Sequence, residues 1–461
     1  MKNVIYKAYQ KIAKKFKEMP LDIHFREILT GSAVTFLLKM SGMLLSYILM
    51  VIISQQYGAE GVGLYNISIS VMMLISMMAM LGLNVSILRY VGQFNQTAQM
   101  HKVKLLYHNA IEITLPISIA LSFLLYLYAS EIATYFFKNT LYRQALIFIS
   151  IILPFYILQD ISVEFIRGLK KLNVSEYLRS VNRPLLSIVF LTVLLGIFKS
   201  NIMLPLYTLG AGIVFGATYA FLFIKKHLYH VRDTNPEKIS KKELITTSLP
   251  MMLTTIASFA MGNISLFLLE FYSTTKIAGI FSVAFKLSML INIVLVVINT
   301  ISAPKFSELF WANKHKELQV VLDHSARLIF ISSSIIALMI LGLNKFLLSI
   351  FGAEFMQGNI VLIILVIAQM INAMTGSVGV FMNMTGNQKA LRNIFLLALL
   401  TNIISQILLI PSYGYEGAAF GTMVGAIVVN LLSVIYVRRR LGFRTYYNPI
   451  LKYQNTNKDS K

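Results

Sequence analysis

Long apolar runs, separated by short polar stretches, recur along the chain from about residue 28 to residue 437. Most hold close to 20 residues, the length that a helix rising 1.5 Å per residue needs to cross about 30 Å of hydrocarbon. The pattern predicts an all-α integral membrane protein with about 12 transmembrane helices. The predicted spans are 28–53, 62–87, 109–130, 145–166, 184–199, 202–224, 247–270, 277–302, 328–350, 358–381, 394–410 and 416–437.

The composition agrees with this class and excludes several kinds of site. Of the 461 residues, 57% are hydrophobic and only 13% are charged, and the mean hydropathy is +0.70. A soluble protein carries charge on about a quarter of its residues. Cysteine is absent, which excludes disulfides and thiolate metal sites. Histidines do not cluster at metal-ligand spacing either, so neither a metal nor another cofactor is expected.

The basic residues are distributed unevenly. The formal net charge is +22, and most of the 41 lysines and arginines lie in the termini and in the loops after even-numbered spans. Under the positive-inside rule these segments face the cytoplasm. The sequence therefore predicts a multi-pass protein of the plasma (inner) membrane with both termini cytoplasmic. The excess of basic over acidic residues is therefore explained by membrane topology and by attraction to anionic membrane lipids. It does not predict a nucleic-acid partner.

The spans and charges divide the chain into five predicted segments. Residues 1–24 place apolar positions at helical spacing among many lysines, which predicts a basic amphipathic helix on the cytoplasmic leaflet. Residues 25–225 and 243–440 are predicted to form an N-terminal and a C-terminal six-helix lobe. A cytoplasmic linker at 226–242 joins them, and a cytoplasmic tail covers 441–461.

An internal repeat relates the two predicted lobes. At an offset of 216 positions, residues 26–30 align with 242–246, Gly63 aligns with Gly279, and 64–67 align with 280–283. An even number of spans per half gives the halves the same orientation in the membrane. Parallel repeats are typical of transporters whose substrate path runs between the halves.

Two lysines lie near the middle of predicted spans. Lys39 is about 16 Å from the cytoplasmic edge of its span, and Lys286 is about 14 Å from the outer edge of its own, at 1.5 Å per residue. An intramembrane cation is costly and marks a functional site by default. Two at one depth predict a cationic cavity that binds an anionic substrate. The alternative is that each lysine snorkels or pairs locally.

Asp160 and Glu164 are the carboxylates of most interest. They lie at positions i and i+4 near the inner end of the fourth span, on one helix face, with Arg167 close by. One interpretation is an interfacial ion pair. The other is a site that couples transport to H⁺ or Na⁺, because burial raises the pKa of a carboxyl group.

Three further polar residues are candidates for the transport path. Arg89, at the inner end of the second span, is either a portal for the lipid headgroup or a headgroup anchor. Asn263 and Asn292 lie within spans, where an amide either lines a sugar path or bonds between helices.

Four stretches carry a resemblance to a known family: 26–39 (REILTGSAVTFLLK), 57–65 (YGAEGVGLY), 165–171 (FIRGLKK) and 411–419 (PSYGYEGAA). They resemble the polysaccharide flippases, Wzx-type oligosaccharide-lipid exporters of the superfamily that also holds the MATE drug exporters and the lipid II flippase. The resemblance implies a MATE-like bundle of two parallel six-helix lobes around a central inter-lobe cavity. In that family spans one, two, seven and eight line the cavity, which would place both lysines there.

The resemblance implies a flippase that moves a polyprenyl-pyrophosphate-linked oligosaccharide to the outer leaflet by alternating access, for surface polysaccharide biosynthesis. The lipid-linked oligosaccharide, membrane lipids, H⁺ or Na⁺, and the polysaccharide polymerase machinery are then the expected partners. Relatives of the lipid II flippase usually have two further spans, which disfavours lipid II as the substrate.

Two other functions compete with this one. A cation-coupled MATE-type exporter relies on an acidic residue in its N-terminal lobe. The first span holds Lys39 and no carboxylate, and only Asp160 and Glu164 keep this function open. A membrane enzyme is disfavoured because the sequence contains no Asp-x-Asp pair, no nucleophile elbow and no large outer loop for a catalytic site.

Overall fold

The computed structural model describes residues 23–96, 99–197, 201–228 and 240–447, and within these ranges the chain is helical and contains no strand. The predicted amphipathic helix at 1–24 lies almost entirely outside the described residues. So do the central part of the linker at 226–242 and most of the tail at 441–461.

The major helices follow the apolar runs. They are α1 (Ile23–Met80), α2 (Leu83–Gln96), α3 (Met100–Leu127), α4 (Leu141–Gly168), α5 (Asn182–Leu195), α6 (Leu204–Leu228), α7 (Lys241–Tyr272), α8 (Thr275–Ser288), α9 (Asn292–Trp311), α10 (His315–Gly342), α11 (Asn359–Met374), α12 (Val378–Met384) and α13 (Gln388–Tyr436). Shorter helical segments connect them at Ala129–Glu131, Ile132–Phe136, Leu172–Glu176, Tyr177–Val181, Met289–Ile291, Asn344–Ser349, Ala353–Gly358 and Val437–Leu441.

Ten helices in the described residues are long and apolar enough to cross a membrane, so the protein is a multi-pass membrane protein. Two of them are broken by a glycine with positive φ: Gly58 in α1 (φ 64°) and Gly414 in α13 (φ 53°). Only glycine adopts such angles readily. Both breaks fall in predicted turns between spans. The count of 12 spans stays a prediction, which requires that α1 and α13 each cross the membrane twice.

The described residues form two compact units. Unit 1 takes the chain up to Ile52, Val71–Tyr135 and Asn139–Leu253, and unit 2 takes Ile53–Ser70, Phe136–Lys138 and the chain from Thr254. The predicted lobe boundaries, 25–225 and 243–440, stay predictions, since a compact unit and a repeated half are different divisions of a chain.

Each unit is built around one central helix. In unit 1, α4 packs against α2, α3 and α6, and it buries large side chains such as Phe165 and Tyr142 completely. In unit 2, α11 packs against α8, α10 and α13. An aromatic cluster of Phe306, Phe381 and Phe443 forms part of the core of unit 2. The packing of these helices positions the polar groups described below.

Candidate functional site

Lys39 lies in α1 within unit 1, and its side chain is exposed. One turn later, Gly42 is buried against the backbone of Ser180, whose carbonyl oxygen a Cβ on Gly42 would overlap. Residues three apart lie on the same side of a helix. The helix that carries Lys39 therefore packs directly against the segment around Ser180.

The segment around Ser180 belongs to a helix that begins before the predicted fifth span. The fifth span was predicted at 184–199, whereas the structure has a continuous helical stretch of 24 residues over Leu172–Leu195. Arg179 and Arg183 therefore lie one turn apart within a helix rather than in a loop. The span was predicted to begin at Pro184 because Arg179 and Arg183, the second of them directly before the proline, are typical of a cytoplasmic loop.

Arg183 is held by three side chains of α4. Its Nη2 lies 3.4 Å from Oδ1 of Asp160, and its Nε donates to Oε1 of Gln159 at 3.0 Å. Its guanidinium also lies 4.3 Å from the centre of the Tyr156 ring, within the range of a cation–π interaction. Gln159 is fully buried, so these contacts fix the plane of the guanidinium from the protein side.

Arg179 pairs with the second carboxylate of the same helix. Its Nη2 contacts Oε1 of Glu164, whose Oε2 lies 3.6 Å from Nη1 of Arg167. The two predicted candidates for ion coupling, Asp160 and Glu164, thus both pair with arginines. No group of three or more metal-ligating side chains is present in the described part of the chain. The geometry fits an arginine–carboxylate network better than a cation site.

A sequence signal for this network exists. Asp160 and Glu164 are spaced i, i+4 on one span, and Arg179 and Arg183 are spaced i, i+4 on the next. Consecutive spans run antiparallel, so the first acid meets the second arginine and the second acid meets the first. An acidic pair and a basic pair at equal spacing on adjacent spans predict such a ladder.

Lys286 lies in unit 2, where it is half-buried on α8, three residues before the short 3₁₀ segment Met289–Ile291. It therefore lies within the apolar span Thr275–Trp311, as predicted. Lys39 and Lys286 belong to different units, and their joint role stays a prediction.

The two predicted path asparagines each bond between helices. Oδ1 of Asn263 accepts from Oγ of Ser70 at 3.3 Å, and Oδ1 of Asn292 accepts from Nδ2 of Asn372 at 3.1 Å. Of the two interpretations given for these residues, such contacts match hydrogen bonding between helices. The side chain of Arg89 lies outside the part of the chain that the structure describes, and its portal role stays a prediction.

Two helix segments of unit 2 meet in a contact that obeys the repeat offset. A Cβ on Gly63 would overlap the carbonyl oxygen of Thr275, and a Cβ on Gly279 would overlap that of Ala59. Residues 59 and 275 are 216 positions apart, as are 63 and 279. Nδ2 of Asn66 donates to Oγ of Ser282 at 2.9 Å, again across 216 positions. We name this the paired-glycine contact. Each of its two glycines approaches the backbone of the other repeat at the equivalent position, in agreement with the internal repeat.

Charged groups surround the paired-glycine contact. Oε1 of Glu354 accepts from the backbone N–H of Ala59 at 2.5 Å, and its Oε2 lies 3.0 Å from Nζ of Lys276. Glu270 is buried and accepts from Oγ1 of Thr275 at 2.6 Å. Glu354 thereby contacts both the turn at Gly58 and the start of α8, and Glu270 contacts the start of α8 as well.

The close approach at the glycines gives a testable prediction. We expect Gly63→Ala or Gly279→Ala to destabilise the protein by roughly 1–3 kcal/mol, because a methyl group there forces the backbones apart. Thermal unfolding in detergent measures this. Gly262→Ala is the matched control, since nothing lies within 4 Å of a Cβ at Gly262. Equal unfolding temperatures for all three variants and the wild type would show that the contact is not tight.

A comparison with known families decides the affiliation of the chain. The profile of the family described as polysaccharide biosynthesis protein matches residues 28–310, more than half of the chain and a stretch that includes both lysines and the arginine network. The chain belongs to this family. The predicted resemblance to polysaccharide flippases and the all-α membrane class are thereby confirmed at the level of family and fold.

Several solved structures with the same fold are described as transporters or flippases. This family member is 13% identical to a multidrug resistance MATE transporter of the MOP superfamily in an inward-facing conformation, over 90% of its own chain and 98% of the transporter, with a TM-score of 0.73. It is 15% identical to the lipid II flippase MurJ, over 89% and 87% of the two chains, with a TM-score of 0.65. For the eukaryotic MATE transporter AtDTX14 the identity is 15%, the coverage 87% and 96%, and the TM-score 0.60. No curated protein matches the sequence.

Proposed function

We propose that this protein flips a polyprenyl-pyrophosphate-linked oligosaccharide from the cytoplasmic to the outer leaflet by alternating access, for surface polysaccharide biosynthesis. The family supports the pathway class and the fold supports transport. The observation that carries the proposal is a set of cations inside apolar spans, with Lys39 in unit 1 and Lys286 in unit 2. A cationic side chain inside a membrane has a high free-energy cost, so its presence there indicates a function such as the binding of an anion.

The pyrophosphate of the proposed substrate explains why lysines are needed. Moving an ionised phosphate through hydrocarbon without compensation costs many kcal/mol, because its hydration is lost. Fixed ammonium groups along the path replace that hydration. Lys39 is exposed on its helix, and Lys286 lies half-buried on α8.

The remaining polar candidates take supporting roles in this proposal. Asn263 and Asn292 hold helices together in the described state and contact the sugars only if their interhelical bonds exchange during transport. Asp160 and Glu164 form ion pairs with Arg183 and Arg179. A role for them in H⁺ or Na⁺ coupling would require those ion pairs to separate, so no observation here favours the MATE-type drug exporter over the flippase.

The proposal includes an orientation and a partner. With both termini cytoplasmic in the plasma (inner) membrane, the lipid-linked oligosaccharide enters from the leaflet where it is made. It leaves on the side where a polysaccharide polymerase would consume it. Membrane lipids contact the exposed apolar helix faces, which carry side chains such as Leu253 and Leu338.

Deleting the gene tests the function in the source cell. We expect loss of one surface polysaccharide and accumulation of its undecaprenyl-pyrophosphate-linked repeat unit in a form that is not accessible from outside. Mass spectrometry of extracted lipids, with and without prior treatment of intact cells by an impermeant periodate, measures both. Unchanged surface polysaccharide together with new sensitivity to organic cations would instead support a drug exporter.

A further inference from the structure

We propose that Arg179 and Arg183 form a second anion site in unit 1, which binds the pyrophosphate of the substrate in exchange for Glu164 and Asp160. This inference rests on the proposed function and deepens it, since it assigns a pyrophosphate-binding role to residues outside the two predicted lysines. In the structure, the carboxylates of Glu164 and Asp160 form ion pairs with Arg179 and Arg183. The substrate would displace them when it arrives.

The position and exposure of the arginines fit a binding site. Arg179 and Arg183 lie one turn apart in the helical stretch Leu172–Leu195, in the half that precedes its long apolar run. The network is not sealed: the side chains of Arg179, Asp160 and Arg183 are 38%, 31% and 17% exposed. A ligand can therefore reach Arg179 without unfolding of the helices, whereas Arg183 is exposed only in part.

The ion pairs of the network contribute little to the stability of the fold. Arg167, Arg179 and Arg183 pair with Asp160 and Glu164, and a third carboxylate, Glu176, accepts from Oγ of Ser180 in the same turn. Ion pairs that are partly exposed typically stabilise a protein by about 0–1 kcal/mol. Exchange of a carboxylate for an anionic ligand therefore costs the fold little.

The contact between Arg183 and Asp160 is weaker than the best such pairs. A single 3.4 Å approach is longer than the 2.7–2.9 Å typical of charge-assisted hydrogen bonds. Gln159 and Tyr156 orient the guanidinium independently of Asp160, so Arg183 stays in place when the carboxylate leaves. A preoriented guanidinium is well suited to two parallel hydrogen bonds with a phosphate group.

The local backbone connects this site with Lys39. Arg179 lies in the π-helical turn Tyr177–Val181, and such turns occur frequently at functional sites. The carbonyl of Leu178 in this turn accepts from Nε2 of Gln159 at 3.2 Å, and the carbonyl of Ser180 touches Gly42. The turn Tyr177–Val181 thus contains Arg179 and directly precedes Arg183. The helix that carries Lys39 packs against the same turn.

Binding of sugar-free undecaprenyl pyrophosphate to the full chain in lipid nanodiscs tests this inference. We expect Arg183→Gln or Arg179→Gln to weaken binding about tenfold or more. The matched control, Arg143→Gln, removes an exposed arginine of the same unit from the start of α4 and should bind like the wild type. Uncharged undecaprenol should show no dependence on either arginine.

Asp160→Asn separates a binding role from a structural one. If Asp160 competes with the substrate for Arg183, its neutralisation should tighten binding of undecaprenyl pyrophosphate about threefold or more, even where thermal unfolding shows lower stability. A ladder that only holds helices together predicts unchanged or weaker binding. This variant also decides the matter if Arg183→Gln fails to fold.

The possible failures are distinguishable. Wild-type flipping together with arginine variants that bind undecaprenyl pyrophosphate normally would overturn this inference and leave the proposed function in place. Arginine dependence that appears only with an acidic glycan attached would overturn it too, because the site would then bind the sugar. A wild type that flips the oligosaccharide-linked lipid but does not bind undecaprenyl pyrophosphate would overturn the inference alone, whereas absence of both binding and flipping would contradict the inference and the proposed function together.

Discussion

The double variant Lys39→Ala/Lys286→Ala is expected to lose flipping while remaining inserted and folded. A hydrogen bond to a charged group contributes about 1.5–3 kcal/mol, so each single variant should lose at least about tenfold in rate. The measurement is the rate at which a fluorescent undecaprenyl-pyrophosphate oligosaccharide reaches the outer leaflet of proteoliposomes. Lysine-to-arginine variants should be milder if charge alone matters, and severe if the compact ammonium is needed.

The lysine prediction has a matched control on the same chain. Lys345→Ala removes an exposed lysine of unit 2 at the start of the short helix Asn344–Ser349 and should flip at the wild-type rate. Thermal unfolding of each variant separates loss of function from loss of fold. Normal flipping by the folded double variant would make both lysines structural and remove the main support for a cationic path.

Cross-linking the paired-glycine contact is expected to stop transport. The wild type contains no cysteine, so Asn66→Cys/Ser282→Cys creates a pair with no background. The native side chains meet at 2.9 Å, within reach of a short bis-methanethiosulfonate reagent. The contact joins the two repeats, and alternating access moves one repeat against the other. Flipping should therefore cease in the cross-linked protein and return when a reductant removes the reagent.

A second cysteine pair serves as control for the cross-link. Ser265 and Thr422 hydrogen-bond at 3.1 Å and both belong to the second repeat. Ser265→Cys/Thr422→Cys should accept the same reagent without loss of flipping, because this contact need not separate. Full activity of the cross-linked Asn66/Ser282 pair would show that the paired-glycine contact persists throughout transport.

Much of the fold could be predicted because the bilayer imposes a length on every apolar run. The turns expected after spans one and eleven contain Gly58 and Gly414, where the helices break. The repeat offset found in the sequence relates residues that touch, such as Asn66 and Ser282. Both features depend on local sequence or on its repetition, which a single chain displays.

The candidate site was harder to predict, because its chemistry depends on which helix faces which. Arg183 was placed in a loop since charge and a following proline usually mark the end of a span, whereas the structure has it within a helix and paired with Asp160. The partners of Asn263 and Asn292 are also set by packing. Helical periodicity shows that a residue shares a face with its neighbours, but not what lies opposite that face.

Direct flipping by the purified wild-type protein tests the central claim most directly. Proteoliposomes would carry a fluorescent undecaprenyl-pyrophosphate oligosaccharide, and a membrane-impermeant quencher would report the fraction in the outer leaflet over time. The proposed function predicts protein-dependent transfer that is faster than in protein-free vesicles and depends on the pyrophosphate. Absence of transfer for every glycan lipid tested, with proton-driven efflux of an organic cation from the same vesicles, would contradict it.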